Sequence, residues 1–261
     1  MTAVSIGRAW EETKAFIAQD KRLLVPLALG LIVLPTAIVG LVAPGAQIGG
    51  ADKNVTGAAL TLADALIGLV AQLTVVRLAL GFSGSLGQAM ALAARRLWVL
   101  LSAMLILVLP FVLLSVTVGG FIDPKSGGVA SGPRGVAALL LLVVIGAFIW
   151  LAVRLLLVSV VVMAEDQGPV ALLKRSFAIT RGHFWRLLAF VLLILSAFLA
   201  LIVAVGAVGA ALVTAVFGAP DAMTVGALIV GLLTGAIQAG VAVVYVAMLS
   251  RIYAQLAAAP S

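Results

Sequence analysis

Asp64 is the one acid that falls well inside an uncharged stretch long enough to cross a membrane. A carboxylate near the bilayer centre costs about 2.5–3.5 kcal/mol on insertion scales, so it must face protein or water. There it could ligate an ion or relay a proton. The simpler reading is a partly hydrated acid, or one held by an amide such as Gln72 or Gln238. Proton and ion paths usually show more than one such group. Glu165 and Asp166 form an acidic pair close to bases at the inner surface. They could supply acid/base or metal chemistry, but adjacent acids before a helix are more simply charges that favour its N-terminus. Cysteine is absent, which removes thiolate chemistry, and the single histidine, His183, sits beside Trp185 at a helix junction where it reads as packing. No catalytic residue, metal ligand or cofactor is expected from this inventory.

The basic residues are the richer set. Lys174, Arg175, Arg181 and Arg186 cluster within thirteen positions, and Arg77 and Arg154 stand near span ends. Each basic side chain near an anionic surface is worth about 1 kcal/mol, so four together could hold a lipid headgroup or phosphodiester. Arg77 and Arg154 could add to such a phosphate site. Alternatively they snorkel to the headgroups as ordinary anchors.

The elements that carry these residues follow from composition. Of 261 residues 64% are hydrophobic and 10% charged, against roughly 25% charged in soluble domains. The polar surface needed to cover such a core is missing, and the solvent must be lipid. Apolar stretches predict six spans at about 23–43, 56–80, 97–118, 136–160, 184–217 and 222–250, with a turn at Gly218-Ala219-Pro220-Asp221 dividing the last two. Of the 16 basic residues, eleven fall at the chain ends and in the 2–3 and 4–5 connections. Lys53, Lys125 and Arg134 fall on the other side, and Arg77 and Arg154 lie near the richer one. This asymmetry predicts cytoplasmic N- and C-termini. The apolar run near the N-terminus is too long for a cleaved signal peptide, and a charged helix precedes it.

Three cytoplasmic segments have amphipathic spacing. Residues 5–19 align Ile6, Ala9, Trp10, Thr13, Phe16 and Ile17 as an interfacial helix. Residues 85–96 are a weaker version. Pro169 to Arg181 is the clearest, with Gly168 as N-cap, Gly182 as stop, and Val170, Leu173, Phe177 and Phe184 as its apolar side. The three precede similar strings: Lys21-Arg22-Leu23-Leu24-Val25, Arg95-Arg96-Leu97-Trp98-Val99 and Phe184-Trp185-Arg186-Leu187-Leu188. At the far ends, Val76-Arg77-Leu78, Val153-Arg154-Leu155 and Val244-Tyr245-Val246 correspond. The implied fold is all-α: six transmembrane helices with interfacial helices, as a threefold repeat of one surface helix and two spans. Gly231 and Gly235 form a GxxxG that should pack span six on the small residues of span five.

The stretch Ala171 to Leu188, with its Arg-Ser-Phe, Thr-Arg-Gly and Trp-Arg-Leu elements, resembles the membrane-domain family named for glycerophosphoryl diester phosphodiesterase. Ala9-Trp10 and Ile252-Tyr253 resemble that family's ends. The resemblance implies a bacterial cytoplasmic-membrane protein of six or more spans. The soluble phosphodiesterase domain is absent, so no enzymatic activity is implied. Three function classes rank in order: a non-catalytic protein that binds anionic lipid or supports envelope assembly, with membrane subunits as further partners; a small transporter or channel; and an intramembrane enzyme acting on phospholipid or glycerophosphodiester. Nucleic acid is not an expected partner.

Overall fold

The computed structural model describes residues 5–44, 55–82, 84–119 and 134–257, the side chains of 111, 114–119, 134–138, 140 and 141 apart. Lys53 and Lys125 lie outside the described residues. All regular structure among them is helical. In chain order the helices are α1 (Ile6–Val42), α2 (Val55–Ala79), α3 (Leu86–Gly119), α4 (Arg134–Leu155), α5 (Val158–Ala164), α6 (Pro169–Thr180), α7 (Phe184–Phe217) and α8 (Val225–Ala257). Six stretches are long and apolar enough to cross a membrane: α1, α2, Leu86–Pro110 of α3, Leu142–Ala164 through α4 and α5, α7 and α8. In the most apolar part of α7 only 6% of residues are buried. Water could not cover such a surface without large cost, so the chain is an all-α, multi-pass membrane protein.

No break separates the first amphipathic segment from the first span. Ser5 caps α1 by accepting the Arg8 N–H at 3.3 Å, and the helix then runs unbroken for 37 residues, about 55 Å. The change from amphipathic to wholly apolar spacing marks a change of surroundings along one rod, because neither Gly nor Pro interrupts residues 18–25. Its first turns bury Ala9, Thr13 and Phe16, whereas Trp10 is exposed. Residues 86–96 likewise continue directly into the third span. Only α6 stands apart, with Pro169 in its first turn and Gly182 at φ +84° behind it. Glycine alone takes that left-handed conformation without strain.

The chain divides into two compact units, residues 1–97 with 189–261, and residues 98–188. In the first unit α1 and α8 run antiparallel. The Ser5 N–H donates to Gln255 Oε1 at 3.1 Å at one end, and the Met223 N–H donates to Leu41 O at 2.8 Å at the other. Gly231 and Gly235 face α1: a Cβ on Gly231 would lie 3.0 Å from Ala37 Cα, and one on Gly235 would lie 3.0 Å from Val33 Cα and O. The GxxxG therefore seats span six on span one, not on span five. Span five still meets span six through other residues. A Cβ on Gly209 would overlap the Leu233 side chain, and Phe190 stacks on Tyr245 at 6.3 Å.

In the second unit the fourth span is interrupted at residues 156–157, and α5 beyond it is buried from Val158 to Met163. The Arg154 carbonyl, among the last of α4 and so without a helical partner, accepts Ser176 Oγ of α6 at 2.6 Å. The side of α6 that packs inward is Leu172, Leu173, Ser176 and Thr180, while Val170 is 53% exposed. Hydroxyls, unmarked by an apolar pattern, form half of that face because they bond backbone and Arg154.

Candidate functional site

The basic residues expected at a phosphate site have different surroundings. Arg175 Nε donates to Glu165 Oε1 at 2.9 Å, and Gln167 Nε2 donates to Glu165 Oε2, also at 2.9 Å. Glu165 thus steadies the start of α6, as a carboxylate before a helix should. Arg154 Nη1 donates to Phe177 O at 3.1 Å and to Thr180 Oγ1 at 3.3 Å. Those groups belong to the last turn of α6, so Arg154 places a cation at the negative end of a helix. Its guanidinium also lies 5.4 Å from the Trp150 ring. Arg77 stacks on Phe82 at 4.8 Å. Lys174, Arg181 and Arg186 are exposed, and so is Trp185 at 78%. His183 Nδ1 lies 3.3 Å from Arg181 O in the turn that follows α6.

A further arginine shares the arrangement of Arg77 and Arg154. Arg251, near the end of α8, lies 5.7 Å from the Phe16 ring. The string Arg251-Ile252 matches Arg77-Leu78 and Arg154-Leu155, a cue that alignment on Tyr245 passes over.

Of the concave sites in the first unit, two are candidates. One is an apolar groove of about 650 Å³ between the start of α1, α7 and α8, lined by residues that include Trp10, Leu193, Ala197, Leu201, Gly240 and Met248. From Met248 to Ala236 it follows α8 for twelve residues, about 18 Å. Trp10 stands at the end nearer Met248, and Lys14 Nζ lies 5.9 Å from its ring. The π-helical stretch Ile202–Ala207 begins just past Leu201, at the deep end. A Cβ at Gly7 or Gly240 would meet nothing within 4 Å, which leaves the groove open.

The other is a polar cleft of about 330 Å³ between α1, α2 and α8. Thr61, Asp64, Gly68, Gln72 and Val75 follow one stripe of α2, at helical spacings of three and four. From Thr61 to Val75 the stripe rises about 21 Å along a hydrocarbon core about 30 Å thick. Thr36 enters from α1 and Gln238 from α8. Thr36 Oγ1 lies 3.4 Å from Asp64 Oδ1 and 3.5 Å from Gln238 Oε1. One turn before Thr36, α1 is π-helical over Leu29–Val33, and Leu31 and Ile32 line the cleft. Such wide turns re-aim the side chains that follow and often lie at functional sites. Asp64, Gln72 and Gln238 thus come together, with Thr36 between Asp64 and Gln238. No protein-family model, curated protein or solved structure matches the chain. Function must therefore be argued from these two sites.

Proposed function

We propose that this chain is a non-catalytic protein of a bacterial cytoplasmic membrane that holds a phospholipid of the inner leaflet, one acyl chain lying in the apolar groove. The observation that carries the reading is the groove's depth. About 18 Å of dry lining along α8 corresponds to one leaflet, about 15 Å of hydrocarbon. Glycines at positions 7 and 240 keep it open where larger side chains would fill it. Trp10 at the mouth suits the headgroup level, where aromatic rings with one polar edge concentrate.

The distribution of lysine and arginine supports cytoplasmic termini, which would set this mouth in the inner leaflet. Exposed Lys174, Arg181 and Arg186 support attraction to anionic headgroups. With Arg175 on Glu165 and Arg154 on α6, that attraction is a diffuse surface property and not a closed phosphate pocket. The resemblance of residues 171–188 to the phosphodiesterase-associated membrane domains supports the bacterial setting.

A phospholipid with a photoactivatable acyl chain, incorporated into vesicles with the protein, tests the groove. Adducts should concentrate in residues 193–201 and 236–248. Equal labelling of the exposed apolar face at residues 105–113 would reduce the lipid to ordinary solvent and refute the reading.

A further inference from the structure

Thr36 sets its hydroxyl oxygen near an oxygen of Asp64 and one of Gln238, each from a different helix and all lining one cleft, and we infer that the three hold a monovalent cation within the membrane. The spacing is the first argument. Thr36 Oγ1 stands 3.4 Å from Asp64 Oδ1 and 3.5 Å from Gln238 Oε1, wider than the usual length of hydroxyl hydrogen bonds, about 2.7–2.8 Å. Oxygens that share a hard cation at about 2.4 Å, at right angles to each other, lie about 3.4 Å apart. Both distances from Thr36 Oγ1 match edges of such a shell.

Charge supplies the second argument. Among the described residues the cleft has one carboxylate, two carboxamides and two hydroxyls, with no lysine, arginine or histidine in its lining. An ionised Asp64 at this depth is stabilised by water or by a positive partner. A single positive charge neutralises it, while a divalent ion would leave a net charge in a low-dielectric site. Room is the third. A cleft of about 330 Å³ exceeds the roughly 30 Å³ of one water many times over, so the ion can keep several waters. Gln72, two turns along α2 from Asp64, offers a further oxygen on the same stripe. The inference is independent of the lipid groove, which shares none of these residues.

The test uses the purified full chain in detergent, with choline as the only other cation. Radiolabelled sodium should bind saturably, and unlabelled sodium, potassium and methylammonium should be compared as competitors. Whichever competes best identifies the ion. Asp64→Asn keeps the side chain's size and removes its charge, so it should fold and lower affinity about tenfold or more. Gly68→Val tests space alone: a Cβ there meets nothing within 4 Å, so the new side chain fills the cleft and leaves the carboxylate in place. It should also abolish binding, whereas Gly240→Leu in the groove should not change it. Both cleft variants must elute as wild type on gel filtration. No saturable binding of any of the three cations overturns the site, and so does binding that survives either Asp64→Asn or Gly68→Val.

Discussion

Gly235→Ala should destabilise the protein, whereas Gly240→Ala on the same helix should not. A Cβ at 235 would lie 3.0 Å from Val33 Cα and O and 3.4 Å from Thr36 Cβ. The two nearest atoms are backbone, so no side chain can rotate away, and α1 must retreat by a few tenths of an ångström. Overpacking of this kind costs about 1–3 kcal/mol. Against it stands a gain of up to about 1 kcal/mol from replacing a helical glycine. Gly240→Ala, on the same helix with nothing within 4 Å of its Cβ, carries that gain alone. The difference between the two variants isolates the steric cost, about 1–3 kcal/mol. Equilibrium unfolding in mixed micelles of increasing SDS fraction measures it. Because Val33 and Thr36 share a face of α1 next to the cleft, Gly235→Ala should also weaken cation binding. Equal stabilities for the two variants would mean that α1 and α8 do not pack through this glycine face.

Arg154→Met should lower stability by about 2–4 kcal/mol, since two charge-assisted hydrogen bonds to the last turn of α6 are lost. Hydrogen exchange should show lost protection at residues 177–180 first. Ser176→Ala, which frees the Arg154 carbonyl, should cost only about 1 kcal/mol by the same measurement. Arg175→Glu sets two carboxylates together at Glu165 and should loosen α6, whereas Arg181→Glu, on the exposed turn, should leave its exchange unchanged. A reporter fused after residue 257 should be cytoplasmic and one inserted near Lys53 external. A C-terminal reporter found outside would contradict the charge-based orientation.

The spans were legible because a membrane-crossing helix announces itself by length and lack of charge, and the described helices fall on all six. What the sequence did not show was where one helix ends and another begins when only the surroundings change. The amphipathic segment at 5–19 carries no break signal, and its backbone hydrogen bonding simply continues into the span. Helix faces were visible, but not their partners. Gly231 and Gly235 mark a close approach whichever helix approaches, and only the antiparallel register of α1 and α8 selects Ala37 and Val33. The polar stripe of α2 could have been read from its spacing, since Thr61, Asp64, Gly68, Gln72 and Val75 recur every three or four positions. Thr36 and Gln238, by contrast, reach Asp64 from helices distant in sequence, and an isolated threonine in an apolar run gives no hint of that. On α6 the pattern showed an apolar side of Val170, Leu173, Phe177 and Phe184, but not the face packed on protein. That face includes Ser176 and Thr180, because their hydroxyls bond to the backbone and to Arg154.

Native mass spectrometry of the protein extracted gently from its membrane tests the lipid reading most directly. The wild-type chain should retain one phospholipid, the Gly240→Leu chain should have lost it, and the Gly68→Val chain should keep it. A bare wild-type chain, or the same lipid at equal occupancy on Gly240→Leu, would contradict that reading.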